Sequence, residues 1–406
     1  MLKKLFFIFI LFYSISFAQK KIIIFETVNT NNYAFYAVND LVTKNLFLYS
    51  DFDIVPSRFI KENNYDTIKS KIKELTINNK SDISVTYNLL KYKNGIVLNY
   101  VIFDTSKQNK WFEKNIYSKE EKLFNAINQM IEDIYNYSSI NNKKVNIEED
   151  EYISLIGYYS QRIVNSKYDK DLYSMFFNFY KDNIYFNMDY LEYLMMNDDK
   201  TMINDIGIMV TNMNKVLDKN NHYYLSALGD WYYSKYKVNV ILSDIELSVE
   251  NYLKAIEAKK NNYIYYEKLA NAYILKNDYN NASKYYKMAI EICDEDTDLI
   301  KDAVYLLKND MNNNGNIVIE YLKRVIEINK NDDEVLEQLA KIYENLGDSY
   351  NAQIYYTKLL EVINYNLYII NNEKPNPVLY DKYIKKRNEV TKNLLLLNNF
   401  FDYYKK

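Results

Sequence analysis

Hydrophobic and polar positions alternate along this chain with two different periods, and the change divides it. Residues 22–25 form a short β-branched run, Ile22-Ile23-Ile24-Phe25, suited to a buried strand. Apolar side chains then recur at helical spacing (Tyr36, Leu41, Val42, Leu46). Residues 52–56 read as a second strand closed by Pro56, and residues 60–75 as a second helix. Residues 83–90 and 95–103 are β-prone runs joined at Asn94-Gly95, a pair that tolerates the positive φ of a hairpin turn. A further strand is expected at 111–117, after a turn at 104–109, and an amphipathic helix at 123–135.

Beyond residue 140 the helical period takes over, and part of it repeats. Tyr266, Leu269, Ala270 and Tyr273 share one helix, and Ala282, Tyr286 and Ala289 the next. The same spacing returns 70 residues later at Leu336, Leu339, Ala340 and Tyr343, then Ala352, Tyr356 and Leu359. That interval is about two periods of 34 residues. The unit between them is degenerate: Val318, Leu322 and Val325 mark its second helix, but its first, at 299–307, lacks the usual small residue. Upstream, Leu225, Leu228, Gly229 and Tyr232 look like a first helix and Ser248, Tyr252 and Ala255 like its partner, with a long connection at 238–247. Small residues let paired helices approach closely, and aromatic rings fill the space between successive hairpins. Residues 149–218 hold about four helical segments, among them 152–164 and 202–217, without the repeat signature. After Pro375 and Pro377, a last helix carries Leu379, Tyr383, Val390, Leu394, Leu397 and Phe401 on one face. It is expected to cap the stack, with self-association through the dense apolar residues 394–397 as the other use of that face.

The repeated units resemble the tetratricopeptide repeat family, which implies a solenoid of helical hairpins that holds a protein or peptide partner. Some such domains clamp a terminal carboxylate with Lys, Asn and Arg on their inner helices. Asn271 matches one clamp position, but Glu267 stands where a basic residue belongs, and the next clear unit presents Glu337 and Lys341. The clamp is incomplete, which implies a different ligand or a different surface. The inner-face set expected to meet a partner is Asp230, Glu267, Asn271, Ile274, Glu337, Lys341 and Glu344. The first segment resembles the amino-terminal domain of TolB and envelope proteins of the FlgO and CsgG type. The resemblance rests on residues 22–26, 51–58, Ser81-Asp82-Ile83, Asp104-Thr105 and Lys110-Trp111. It implies a protein-binding module of the cell envelope without catalysis. Neither a β-propeller nor long pore-forming hairpins follow.

The expected fold class is therefore mixed: a small N-terminal α/β domain, then an all-α solenoid with a C-terminal capping helix. The expected divisions are a signal peptide at 1–18, the α/β domain at 19–138, divergent hairpins at 139–220, repeats at 221–365 and the cap at 376–406. The signal rests on Lys3 and Lys4, the apolar run 5–15, and the small residues Ser16 and Ala18. Gln19 follows where a lipoprotein needs cysteine, so a soluble mature chain is expected, periplasmic or envelope-associated. No later stretch has eighteen consecutive apolar residues.

Composition narrows the chemistry. Six Gly and three Pro in 406 residues suit long helices with short connections. A net charge of −3 argues against nucleic acid, which asks for a basic face. The 45 tyrosines can be read as a carbohydrate- or peptide-binding surface. With abundant Asn, Ile and Lys, however, they are the amino acids of A/T-rich codons, and scattered exposed aromatics need no ligand. Cys293 has no cysteine partner and His222 is the only histidine, so neither a disulfide framework nor a Cys/His zinc site is available. His222 is read as a helix-start or surface residue rather than a catalytic base. Asp294, Asp296 and Asp298 alternate as in a calcium loop, but Leu299 and Tyr305 stand where Gly and Glu are required. They are read as a solvated loop with a helix N-cap. The acidic run 148–151 is read as a helix start, where the dipole favours negative charge. No glycine-rich phosphate loop occurs, and no cofactor is expected. The expected role is a non-catalytic adaptor. The alternatives are a cell-wall enzyme using carboxylates of the α/β domain and a structural assembly subunit.

Overall fold

The structure is a computed structural model. It describes residues 20–27, 33–60, 65–78, 80–107, 110–138, 147–150, 152, 170–197, 201, 203–308, 311–372 and 376–404. The expected signal peptide and most of the helix expected at 152–164 lie outside the described residues. The chain forms two compact units, residues 1–262 and 263–406. The division falls inside the stretch expected to hold repeats, not at residue 138 or 220.

The first unit opens as strand β1 (Lys21–Thr27), helix α1 (Tyr33–Tyr49), β2 (Asp53–Ile60), α2 (Tyr65–Asn78), β3 (Ile83–Tyr92), β4 (Gly95–Asp104), β5 (Lys110–Ser118) and α3 (Leu123–Ser138). The strands make one sheet in the order β2-β1-β3-β4-β5, parallel across β2-β1-β3 and antiparallel across β3-β4-β5. Central β1 is buried at Ile22, Ile23, Ile24 and Phe25, as its continuous apolar run requires. Pro56 does not end β2, because β2 is an edge strand with one row of amides that need no partner.

The hairpin turn is displaced by one residue from Asn94-Gly95. Tyr92 pairs with Gly95, so the turn is Lys93-Asn94, and Lys93 carries the positive φ of 51°. Gly95 answers a steric demand instead, since a Cβ there would lie 2.4 Å from the carbonyl oxygen of Ser118.

Helices α4 (Lys170–Tyr180), α5 (Ile184–Asn197), α6 (Ile203–Val216), α7 (His222–Asn239) and α8 (Leu242–Ala258) complete this unit. One hydrophobic core runs from Ile22 and Val85 in the sheet through Ile127 and Met130 of α3 to Tyr190, Met209 and Ala227. Helices α4 to α7 thus pack as part of the sheet domain's own core. Two polar joints reinforce this packing. Lys44 of α1 bonds Asp40 at 2.7 Å, Asp189 of α5 at 2.6 Å and the carbonyl of Tyr185 at 2.9 Å. At the end of α1, the Phe47 carbonyl accepts from His222 Nε2 at 2.8 Å and from Lys259 Nζ at 3.2 Å, and the Leu48 carbonyl from Asn221 Nδ2 at 2.7 Å. The last carbonyls of a helix lack intrahelical donors, and cationic or neutral N–H groups satisfy them there.

Helices α7 and α8 pair as expected, but the long connection does not exist. Both helices run on, so only Val240 and Ile241 lie between them. Gly229 is needed where the axes meet: a Cβ there would stand 2.5 Å from the ring of Tyr252.

The second unit is α-helical throughout its described residues: α9 (Tyr263–Leu275), α10 (Tyr279–Ile292), α11 (Thr297–Leu307), α12 (Met311–Ile328), α13 (Asp333–Asn345), α14 (Ser349–Asn372) and α15 (Pro377–Tyr404). Consecutive helices pack as hairpins. No described helix is long and apolar enough to cross a membrane.

Candidate functional site: the inner helices of the second unit

Three helices, α9, α11 and α13, open the successive hairpins, and each buries the same register. Tyr265, Tyr266, Leu269 and Ala270 are buried on α9, Leu299, Ile300, Ala303 and Val304 on α11, and Val335, Leu336, Leu339 and Ala340 on α13. The middle unit therefore has its small residue, Ala303, one place earlier than its neighbours. Its apparent degeneracy is a local exchange of small and large side chains within a preserved frame. The same frame leaves a row of positions turned away from the hairpin core: Glu267, Asn271 and Ile274 on α9, Lys301, Tyr305 and Lys308 on α11, and Glu337, Lys341 and Glu344 on α13. The α11 set escaped sequence reading because the unit was registered on an absent alanine.

Repeated local chemistry holds these helices in place. Asp278 and Asp348 each cap the second helix of a hairpin, accepting from the backbone N–H of Asn281 at 3.1 Å and of Asn351 at 3.0 Å. The turn before each cap has a residue with positive φ, Asn277 at 59° and Gly347 at 74°, two types that tolerate that region. Tyr273 stacks on Tyr285 at 5.5 Å, and Tyr343 on Tyr355 at 5.7 Å. Tyr286 donates its hydroxyl to Asn271 at 2.8 Å, and Tyr356 donates to Glu344 at 2.7 Å. Asn271 and Glu344 are thereby oriented by the second helix of their own hairpin.

Polar bonds also tie each hairpin to the next. Tyr263 donates to Asp296 at 3.0 Å, and Lys301 pairs with Asp332 at 2.6 Å. Asp296 also caps α11 through the N–H groups of Asp298 and Leu299, so the alternating aspartates are a helix start with a cross-link. Asp294 pairs with Arg324 at 2.9 Å. Among the described residues no group of three or more acids, His or Cys is placed to hold a metal ion.

The expected site residues separate into three groups. Asp230 is corrected: it is fully buried between α7 and α8, where it accepts from the Tyr252 hydroxyl at 2.8 Å, and it does not line an open face. Its polarity suggested exposure, but its role is to satisfy a buried phenol. Glu337 and Lys341 pair with each other at 2.5 Å, and the chain's own last helix meets them. Lys386 of α15 reaches Glu337 at 3.0 Å and Asp333 at 2.8 Å, and Glu389 lies 3.8 Å from Lys341. Glu267, Asn271 and Ile274 sit together on α9. Burial and the neighbouring carboxylates Asp302 and Asp296 push the Glu267 carboxyl up to about 7. Asp302 is raised for the same kinds of reason, burial first and then Asp298 and Asp296. A face that strains its own acids in this way is chemically suited to a cationic neighbour.

No curated protein matches the chain. Among solved structures, the chain is similar to a crystal structure of MamA, with 20% identity, a TM-score of 0.33, and coverage of 42% of this chain and 95% of that one. It is also similar to YrrB, described as a TPR protein with an unusual peptide-binding site, with 18% identity, a TM-score of 0.30, and coverage of 47% and 96%. These values are too low to carry an argument. The repeat geometry has direct support, because residues 263–296 and 333–366 match the family model of the tetratricopeptide repeat, α9 with α10 and α13 with α14.

Proposed function

We propose that this protein is an exported, non-catalytic adaptor of the cell envelope. Its second unit holds a segment of a partner protein along α9, α11 and the start of α13. The observation that carries this reading is the in-phase row of polar and aromatic side chains on helices fixed by repeated caps and stacks. Rigid helices carrying an ordered outward set suit recognition more than chemistry. Glu267, Asn271 and Ile274 belong to that row, and Tyr305, which is 80% exposed, holds the equivalent place on α11 as the aromatic anchor. Glu337, Lys341 and Glu344 form its far end, where α15 takes up part of the available charge. The raised pKa of Glu267 favours a partner segment that brings a basic side chain.

Export is supported by the order of charge, apolar run and small residues across 3–18. The non-catalytic reading draws on the structural roles of three acids of the sheet domain. Asp82 accepts from the Lys21 N–H at 2.7 Å, Asp104 from Ser106 N–H at 2.8 Å, and Asp133 from Lys114 at 2.7 Å. Each is occupied in holding a turn or tying α3 to the sheet.

The test is affinity capture from the cell envelope with the full chain beside a Glu267→Lys/Tyr305→Ala variant. The reading expects a partner that the wild type retains and the variant loses, with the variant folded by circular dichroism. Retention of the same partners by both would place the binding surface elsewhere.

A further inference from the structure

Helix α15 follows α14 where the series of hairpins would place a further first helix, but it is not packed like one. Helices α9, α11 and α13 each bury five or six side chains within 11 to 13 residues. Over residues 377–397, α15 buries only Val390 and Leu397. It lies along α14, where the Tyr383 hydroxyl accepts from the Asn366 amide at 3.2 Å. Pro375 and Pro377 set it off from α14, since proline does not continue a helix.

What α15 meets on α13 is the row of outward positions. Lys386 pairs with Asp333 at 2.8 Å and with Glu337 at 3.0 Å, and Glu389 lies 3.8 Å from Lys341. One turn further on, the Asn393 amide donates to the Tyr356 hydroxyl at 3.2 Å, the same hydroxyl that holds Glu344. Positions 386, 389 and 393 share one helix face, and they follow Glu337, Lys341 and Glu344 in the same direction along α13. All three α13 members of the row are thus engaged, by charge and hydrogen bonds rather than by buried apolar surface. Partly exposed ion pairs add little to stability, so they orient α15 without fixing it. An element with few buried side chains also opens at a free energy well below that of the whole fold. Another helix offering the same charges in the same order would replace these bonds one for one.

We propose that the inner face of α13 is a helix-binding seat which α15 fills as an internal stand-in. The partner helix that takes the seat carries a lysine, a glutamate three residues later and an apolar side chain next to it, as Lys386, Glu389 and Val390 do. This rests on the adaptor reading and adds its regulation: α13 becomes available to a partner only when α15 leaves.

The test titrates a fluorescent synthetic peptide of residues 377–404 against the full chain by anisotropy. The variant Lys386→Ser/Val390→Ser, whose own α15 is loosened, is expected to bind it about tenfold more tightly than wild type. A seat filled nine-tenths of the time, by this estimate, weakens apparent affinity by about that factor. Glu389→Lys sets a like charge against Lys341 at an exposed position, is expected to fall between the two, and decides the matter if the double variant does not fold. A peptide carrying Lys386→Glu/Glu389→Lys is expected to bind none of them. Equal affinity of wild type and the loosened variants, no binding to a folded loosened variant, or equal binding of the charge-exchanged peptide would each overturn the proposal. Envelope capture is read separately: a chain that takes the peptide as expected but retains no envelope partner keeps the seat and loses the adaptor reading.

Discussion

His222 and Glu267 are both perturbed acid–base groups, and they make opposite predictions. Burial, with Lys259 close by, lowers the His222 pKa to about 3, against 6.5 ordinarily. The ring is neutral in the folded chain, with Nε2 donating to the Phe47 carbonyl. Unfolding exposes it to protonation below pH 6.5, so its contribution is complete above that value and is lost as pH falls toward 3. Denaturant melts at pH 7 and pH 4 are expected to show that wild type loses on the order of 2–3 kcal/mol more than His222→Gln. Glu267 runs the other way. Its folded pKa of about 7 lies above the ordinary 4.5, so ionisation costs stability as pH rises through that window. Glu267→Gln is therefore expected to melt a few degrees higher than wild type at pH 8 and no higher at pH 4. Neither shift was legible in the sequence. The start of α7 at His222 was visible, but a surface position was equally admissible. Its burial comes from Phe47, 175 residues away.

At the level of elements, period and turn chemistry disclosed more than exact boundaries. The order of strands and helices in the first domain, the hairpin, the paired helices and the last helix were all readable from spacing. The exceptions have physical causes. Gly95 looked like half of a turn but is there because the Ser118 carbonyl leaves no room for a Cβ. The run 238–247 looked like a loop because the apolar residues at 238–242 face water and so break the helical stripe. Gly229, by contrast, was placed on the first helix of a pair, and it sits where that helix meets Tyr252 of its partner. Gly229→Ala is expected to destabilise the first unit by about 1–3 kcal/mol, measured by chemical melts, because Tyr252 must leave its bond to Asp230 or shift its ring. Ala at Gly347 tests a different mechanism. Its φ of 74° leaves the surrounding space open, so the cost is backbone strain alone, about 1 kcal/mol.

For the whole molecule, the repeat signature located the second unit but not the limits of the first. Helices α4 to α6 lack the tetratricopeptide pattern because their apolar faces share the core of the sheet domain. Positions turned away from the hairpin core could be listed from the sequence where the repeat was regular. They were missed on α11, where small and large residues are exchanged, and misplaced at Asp230, which serves a buried hydroxyl. The terminal helix engages Asp333 and Glu337 through Lys386, so Lys386→Glu is expected to loosen α15. Hydrogen exchange should then quicken in residues 377–397 while α9 and α10 keep their protection.

The central claim is that the inner helices of the second unit form the partner surface, and site-specific photo-crosslinking tests it most directly. A photoreactive residue replaces Tyr305 on α11 in one full-length chain and exposed Lys287 on α10 in another, and both are irradiated in the cell envelope. The account predicts a discrete protein adduct at position 305, absent from position 287 and abolished by Glu267→Lys. Adducts of equal yield at both positions, or an adduct at 305 indifferent to Glu267→Lys, would contradict it.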